Sequence, residues 1–255
     1  MDNDKKLLAV PVDESVRYKT NFIKTAVCEL RFPTLLELEN TPPIKFQTAL
    51  RKQYPYYSEE HGLSIGLGSS SAGGKRYLFE SKKRDWTISL KSSSISLETN
   101  KYTDFEDFYE RFDLMLKAIG NLLDTDFFTR VGLRYINSVP LPSNNMDRSD
   151  IDKWINPVLV APLKGDELGS LKTFHCEISG SVEDGGYTFR HGFAPPNNQD
   201  RDALSYMLDY DYFKDGVEYD DVLAIIKKFN VQNFSFFKWS LGNKSIEALG
   251  EGKNK

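Results

Sequence analysis

Thr103 to Leu141, TDFEDFYERFDLMLKAIGNLLDTDFFTRVGLRYINSVPL, holds a helix and a strand in succession and decides the class of the fold. Thr103 and Glu106 have the S/T-x-x-E spacing of a capping box, which satisfies two otherwise orphaned backbone donors at a helix start. Beyond it, Phe105, Phe108, Phe112, Met115, Leu116, Ile119 and Leu122 recur at three- and four-residue steps. That stripe predicts an amphipathic helix ending between Gly120 and Asp124. Phe127 to Leu141 then predicts a strand, because apolar and polar positions separate with the two-residue period of a pleated chain.

Upstream, Phe22 to Phe32 alternates as a strand, with Ala26, Cys28 and Leu30 on one side. Thr41, Pro42 and Pro43 predict the cap and first turn of a helix carrying Phe46, Ala49, Leu50 and Tyr54. Short alternating runs follow at Leu63–Leu67, Tyr77–Phe79, Trp86–Leu90 and Ile95–Leu97, and the Gly, Ser and Lys clusters at Ser69–Gly74, Lys82–Asp85 and Ser92–Ser94 read as their connections. Downstream, Ser149 and Asp152 open a short helical stretch with Ile151, Trp154 and Ile155. Phe174, Cys176 and Ile178 pair as a hairpin with Tyr187 and Phe189 through the turn residues Glu183–Gly186. A strand at Leu204–Phe213 precedes a long terminal helix with Val222, Ile225, Ile226 and Phe229, and later Phe236, Phe237, Trp239 and Leu241. The order predicts an α+β protein of two β-α-β(n)-α halves forming a largely antiparallel sheet with helices on one face, a saddle-like pseudo-duplication. The expected division is an arm at 1–20, halves at 21–125 and 126–250, and a tail at 251–255.

The 255 residues are 40% hydrophobic, enough to build a core, and 33 Lys and Arg against 37 Asp and Glu give a net charge of −4. Such a balance offers no global attraction to phosphate backbones or anionic lipid, so nucleic-acid binding needs a local basic patch. The two cysteines, Cys28 and Cys176, lie too far apart in sequence for a zinc or redox pair and fit a reducing, cytoplasmic setting. No apolar run reaches the length of a membrane span, and the first twelve residues, broken by Pro11, do not read as a signal peptide.

Arg130-Val131-Gly132-Leu133-Arg134-Tyr135-Ile136-Asn137 resembles the R-x-G-x-R-Y-x-N hallmark of a sporadically distributed, uncharacterised prokaryotic family of about 250 residues. Phe32-Pro33, Tyr54-Pro55 and Leu249-Gly250 resemble flanking features of the same family. Its carboxylate- and histidine-bearing final helix is replaced here by Lys227, Lys228 and Phe229. The resemblance implies no reaction; the scattered occurrence of the family implies an association with mobile or phage-defence loci.

Within that segment, strand alternation puts Arg130, Gly132 and Arg134 on one face, and the bare glycine leaves room for a planar anion or partner carboxylate between two guanidinium forks. The competing reading is that both arginines pair with acids on neighbouring elements. Lys75, Arg76, Lys82, Lys83 and Arg84 form a basic edge that serves as the candidate nucleic-acid surface. Gly66–Arg76 fails the spacing of a phosphate-binding loop and reads as a hairpin tip. Asp209 and Asp211 share a strand face and are the candidate metal ligands of a hydrolase, the weakest of the three functional alternatives. His61, His175 and His191 fall in no metal motif, and adjacent His175 and Cys176 point to opposite faces of a strand. Phe234, Phe237 and Trp239 are the candidate interface. The combined expectation is a non-enzymatic module without cofactor, holding a protein partner, a second copy of itself or a small anionic ligand.

Overall fold

The computed structural model describes residues 18–66, 69–142, 148–165, 169, 171, 173–182, 185–194 and 204–250. Nine strands form a sheet in the order β2-β3-β4-β5-β1-β6-β9-β8-β7. They are β1 (Ile23–Arg31), β2 (Tyr56–Gly66), β3 (Ser69–Glu80), β4 (Trp86–Lys91), β5 (Ser94–Thr99), β6 (Phe127–Pro140), β7 (His175–Val182), β8 (Gly185–Phe193) and β9 (Ser205–Glu218). The helices are α1 (Glu37–Asn40), α2 (Ile44–Leu50), α3 (Phe105–Gly120), α4 (Pro157–Val160), α5 (Val222–Ser240) and α6 (Asn243–Leu249). The fold is α+β with an antiparallel sheet, as the element order predicts. Among the described residues no helix is long and apolar enough to cross a membrane.

The described residues divide into two compact units, one of 25–133 and 213–226, the other of 18–24, 134–212 and 227–250. In the first, cross-strand partners stack one apolar face. Leu30 lies opposite Ile95 and Ile95 opposite Leu90; Cys28 lies opposite Leu97 and Leu97 opposite Ile88. Phe79 continues the row opposite Ile88. The α3 stripe of Phe108, Phe112, Met115, Leu116 and Ile119 is buried, with Phe108 against Trp86 at 5.8 Å between ring centres. Its cap is Asp104, one residue after the expected Thr103: the Asp104 carboxylate accepts the Asp107 amide, which a short acidic side chain does at least as well as threonine. Thr41 likewise caps nothing at a helix start. It ends α1, its amide donating to the Glu37 carbonyl, and α2 begins after Pro43.

Ser69–Gly74 is strand, not connection. It forms the start of β3, where Ser69 to Ala72 pair with Leu63 to Gly66 of β2, and pairing outweighs the low strand preference of Gly and Ser. Of the Gly66–Arg76 stretch expected as a hairpin tip, Gly66 lies in β2 and Ser69 to Arg76 in β3, while 67–68 are outside the described residues.

In the second unit, β9 carries Tyr206, Leu208, Tyr210 and Tyr212, all buried, and runs to Glu218, beyond the expected end at Phe213. Phe236 of α5 packs on Phe189 and Tyr210 at 4.7 and 5.1 Å between ring centres. Of the expected interface residues, Phe234 meets Tyr18, Phe237 meets Phe22 and Trp239 meets Phe236, so all three have ring partners within the unit. Lys19 and Thr20 donate their amides to Gly250 and Leu249, which fastens the described end of the expected arm to the end of α6.

Candidate functional site

Pleating of β6 separates two chemistries. Val131, Leu133, Tyr135, Asn137 and Val139 are buried, while Arg130, Gly132, Arg134, Ile136 and Ser138 on the alternate side are half-buried. On the buried side polar tips are satisfied: Tyr135 Oη donates to Asn230 Oδ1 at 3.0 Å and Asn137 Nδ2 to the Leu208 carbonyl at 3.3 Å.

On the open side a chain of charges crosses four strands. Arg134 of β6 donates through Nε and Nη2 to the two carboxylate oxygens of Asp209 on β9, both at 2.7 Å. Arg190 Nη1 of β8 stands 3.7 Å from Asp209 Oδ2, and Arg190 Nε donates to Glu177 Oε2 of β7 at 2.6 Å. Hairpin register explains the last pair, since Glu177 lies directly opposite Arg190. The Asp209 side chain is 2% exposed, whereas Arg134 keeps 40%, Arg190 36% and Glu177 59%. The buried carboxylate therefore fixes Arg134 and stands beside Arg190, and both guanidinium groups keep outer edges that meet solvent. Two parallel N–H···O bonds hold the Arg134 plane in one orientation, and a bidentate pair of this kind is the strong form of ion pair.

The sequence brings Arg134 and Asp209 to attention for different reasons, and the structure joins them to each other. With both Asp209 oxygens accepting from Arg134, Asp209 and Asp211 are not a free carboxylate pair for a metal. Among the described residues no group of three His, Cys, Asp or Glu side chains is placed to hold one. Arg130, in the other unit, lays its guanidinium over the Phe213 ring at 3.6 Å. Arg76 donates to Ser89 Oγ and pairs with Glu60, and Arg84 pairs with Glu80 and covers the Tyr56 ring. Two of the five basic-edge residues are thus matched within their own hairpins; Lys82 and Lys83 are exposed.

Arg190 and Glu177 escape the sequence reading. The signal that finds them is the turn: once Val182 is placed opposite Gly185, the register puts Arg190, five residues on from Gly185, opposite Glu177, five residues before Val182. Without a fixed turn that register cannot be counted.

His191 lies opposite Cys176 on β8, not against His175, which faces Gly192. It is buried, shares a 2.8 Å hydrogen bond through Nδ1 with Tyr206 Oη, and stacks on Phe189 at 4.9 Å. Burial pushes its pKa down from 6.5 to about 4, and burial also raises the phenols of Tyr206, Tyr210 and Tyr212. Neutral in the fold and protonated when unfolded, His191 contributes stability that is complete above about pH 6.5 and is lost as pH falls toward 4. Urea titrations at pH 7.5 and 4.5 should therefore differ by about 2–3 kcal/mol more in the native chain than in His191→Phe. Equal pH dependence in the two would remove His191 from the acid sensitivity.

In the other unit, Lys117, Gly120, Asp126, Glu218, Tyr219 and Asp220 line an open pocket of about 620 Å³ at the end of α3. Tyr219 donates to the Leu116 carbonyl and its ring lies over Gly120, where an added Cβ would stand 2.6 Å from Oη. The pocket brings the acids Asp126, Glu218 and Asp220 together at a helix C-terminus.

Neither a protein-family model nor a curated protein matches the chain.

Proposed function

We propose that the chain is a binding or regulatory module and that the open face of β6, β9, β8 and β7 holds a protein partner. The carrying observation is the buried Asp209 carboxylate, which orients Arg134 through two 2.7 Å bonds and stands beside Arg190. The cost of burying a charge is offset here by groups that present their outer edges to solvent, an arrangement suited to recognition and unnecessary for a core. Signs alternate across the strands, so each exposed guanidinium already has an acid. A lone phosphate or small anion would have to displace Asp209 or Glu177, whereas a protein surface carrying both signs can exchange pair for pair. The same matching of Arg76 and Arg84 favours a protein over a nucleic acid, which needs unmatched positive charge along a track. The resemblance of the Arg130–Asn137 segment adds a setting to this proposal: the cytoplasm of a prokaryote, in a mobile or phage-defence locus.

The test places a benzophenone amino acid at Thr188, which shares the open face with Arg190, or at Lys228, exposed on α5, in cells that express the protein. Irradiation should give one discrete protein adduct from position 188 and none from 228. No adduct at 188, or equal adducts at both, would overturn the reading. Co-purified nucleic acid whose retention falls steeply with salt would move the function to phosphate binding.

A further inference from the structure

The strand β7 ends the sheet order, and among the described residues nothing pairs with its outer edge. Its ladder to β8 fixes what that edge presents. The Phe193 amide donates to the Phe174 carbonyl, which makes their positions a hydrogen-bonded pair. In an antiparallel ladder such pairs alternate, so Cys176, Ile178 and Gly180 bond to β8 while His175, Glu177, Ser179 and Ser181 direct their N–H and C=O groups outward. All four are exposed. The opposite edge, β2, is protected: its register shifts between His61 and Leu63, and it carries Glu59 and Glu60. By contrast β7 has an unbroken register, no Pro, no Lys or Arg, and a single acid already held by Arg190. Ile178, on the side where Phe189 meets Phe236 of α5, is 42% exposed. A straight, unprotected edge with an apolar residue at its middle invites another strand.

We propose that this strand is the β7 of a second copy, paired antiparallel about Ile178 so that the sheet continues through a twofold axis. Register favours self-pairing. For α5, packed on the Ile178 side, to lie on one side of the continued sheet in both copies, residues of equal parity must face each other. Setting Glu177 opposite itself opposes like charges, and setting Cys176 opposite itself uses only the first half of the strand. Setting Ile178 opposite itself pairs Glu177 with Ser179 and His175 with Ser181, engages all four outward-facing residues of each copy, and opposes no like charges. The two Ile178 residues then occupy a non-hydrogen-bonded position, where cross-strand Cα atoms are closest at about 4.5 Å. This inference uses the backbone edge of β7 and stands independently of the proposed partner face.

The test is sedimentation of the full chain together with two sets of variants. The native protein should sediment at twice its chain mass of 29.2 kDa. Ser179→Pro removes an outward N–H and the exposed 3.3 Å bond from Ser179 Oγ to Thr188 Oγ1, losses an edge strand tolerates, and should give a monomer with an unchanged circular dichroism spectrum. In a Cys176→Ser background, Ile178→Cys should cross-link two copies on mild oxidation, since about 4.5 Å falls within disulfide reach, whereas Ser179→Cys should not. A native monomer up to about 100 µM, a concentration that any affinity near 1 µM would saturate, overturns the proposal. So does a Ser179→Pro dimer, or cross-linking from position 179 in place of 178.

Discussion

Asp209→Ala is expected to lower the unfolding free energy by about 3 kcal/mol, read as a drop in the urea midpoint at constant slope. Removing one member of a buried ion pair strands the other, at a typical cost of roughly 3–5 kcal/mol. The low end applies because Arg134 and Arg190 keep 40% and 36% exposure and water can return to them. Arg134→Ala should cost a similar amount, since Asp209 would keep only the 3.7 Å contact with Arg190. The double variant should fall short of the sum by at least about 1 kcal/mol, the signature of directly interacting groups. Additive losses would show that the pair contributes no coupling, and the ladder would then be a by-product of strand alignment.

Gly192→Ala should be still more damaging, about 4 kcal/mol, because overpacking and backbone strain act together. Gly192 has φ of +153°, a region that side chains with a Cβ rarely enter. A Cβ there would stand 2.0 Å from the Phe174 carbonyl oxygen and 2.9 Å from the His175 Cα, both backbone atoms that cannot rotate away. Relief requires β7 and β8 to part where Phe193 donates to Phe174. The expected result is a fall in melting temperature accompanied by faster hydrogen exchange at Phe193. A loss below about 1 kcal/mol would contradict the β7–β8 register and with it the placement of Glu177 opposite Arg190.

Much of the fold is legible in the sequence because periodicity is written into long segments. The α3 stripe and the alternation of β1, β6 and β9 each extend over many residues, so a missing or extra apolar residue does not hide the period. Boundaries are less legible, and for local reasons. Thr103 and Asp104 are both competent caps, and only backbone geometry selects the second. Ser69–Gly74 resembles a connection by composition, yet its partner strand decides its conformation, and pairing is not a property of the segment itself. The candidate site divides in the same way. Arg134 is found through its neighbourhood with Gly132 and Arg130, and Asp209 through its alternation with tyrosines. That they meet across 75 residues depends on β6 and β9 being neighbours in the sheet, a topological fact that no local spacing encodes. Buried Asp209 on a strand flanked by Leu208 and Tyr210 reads as a solvent-facing charge unless the arginine beside it is known.

A buried carboxylate that orients the arginines for a partner should be required for the partner's contact. The deciding measurement is the yield of the Thr188 photo-adduct in Asp209→Asn against the native chain, at matched expression and with identical circular dichroism spectra. Asparagine keeps the shape and one carbonyl acceptor but removes the charge that holds Arg134 and stands beside Arg190. The predicted result is a fall in adduct of at least about tenfold, the equivalent of one lost charge-assisted contact. An undiminished adduct from a folded Asp209→Asn chain would contradict it.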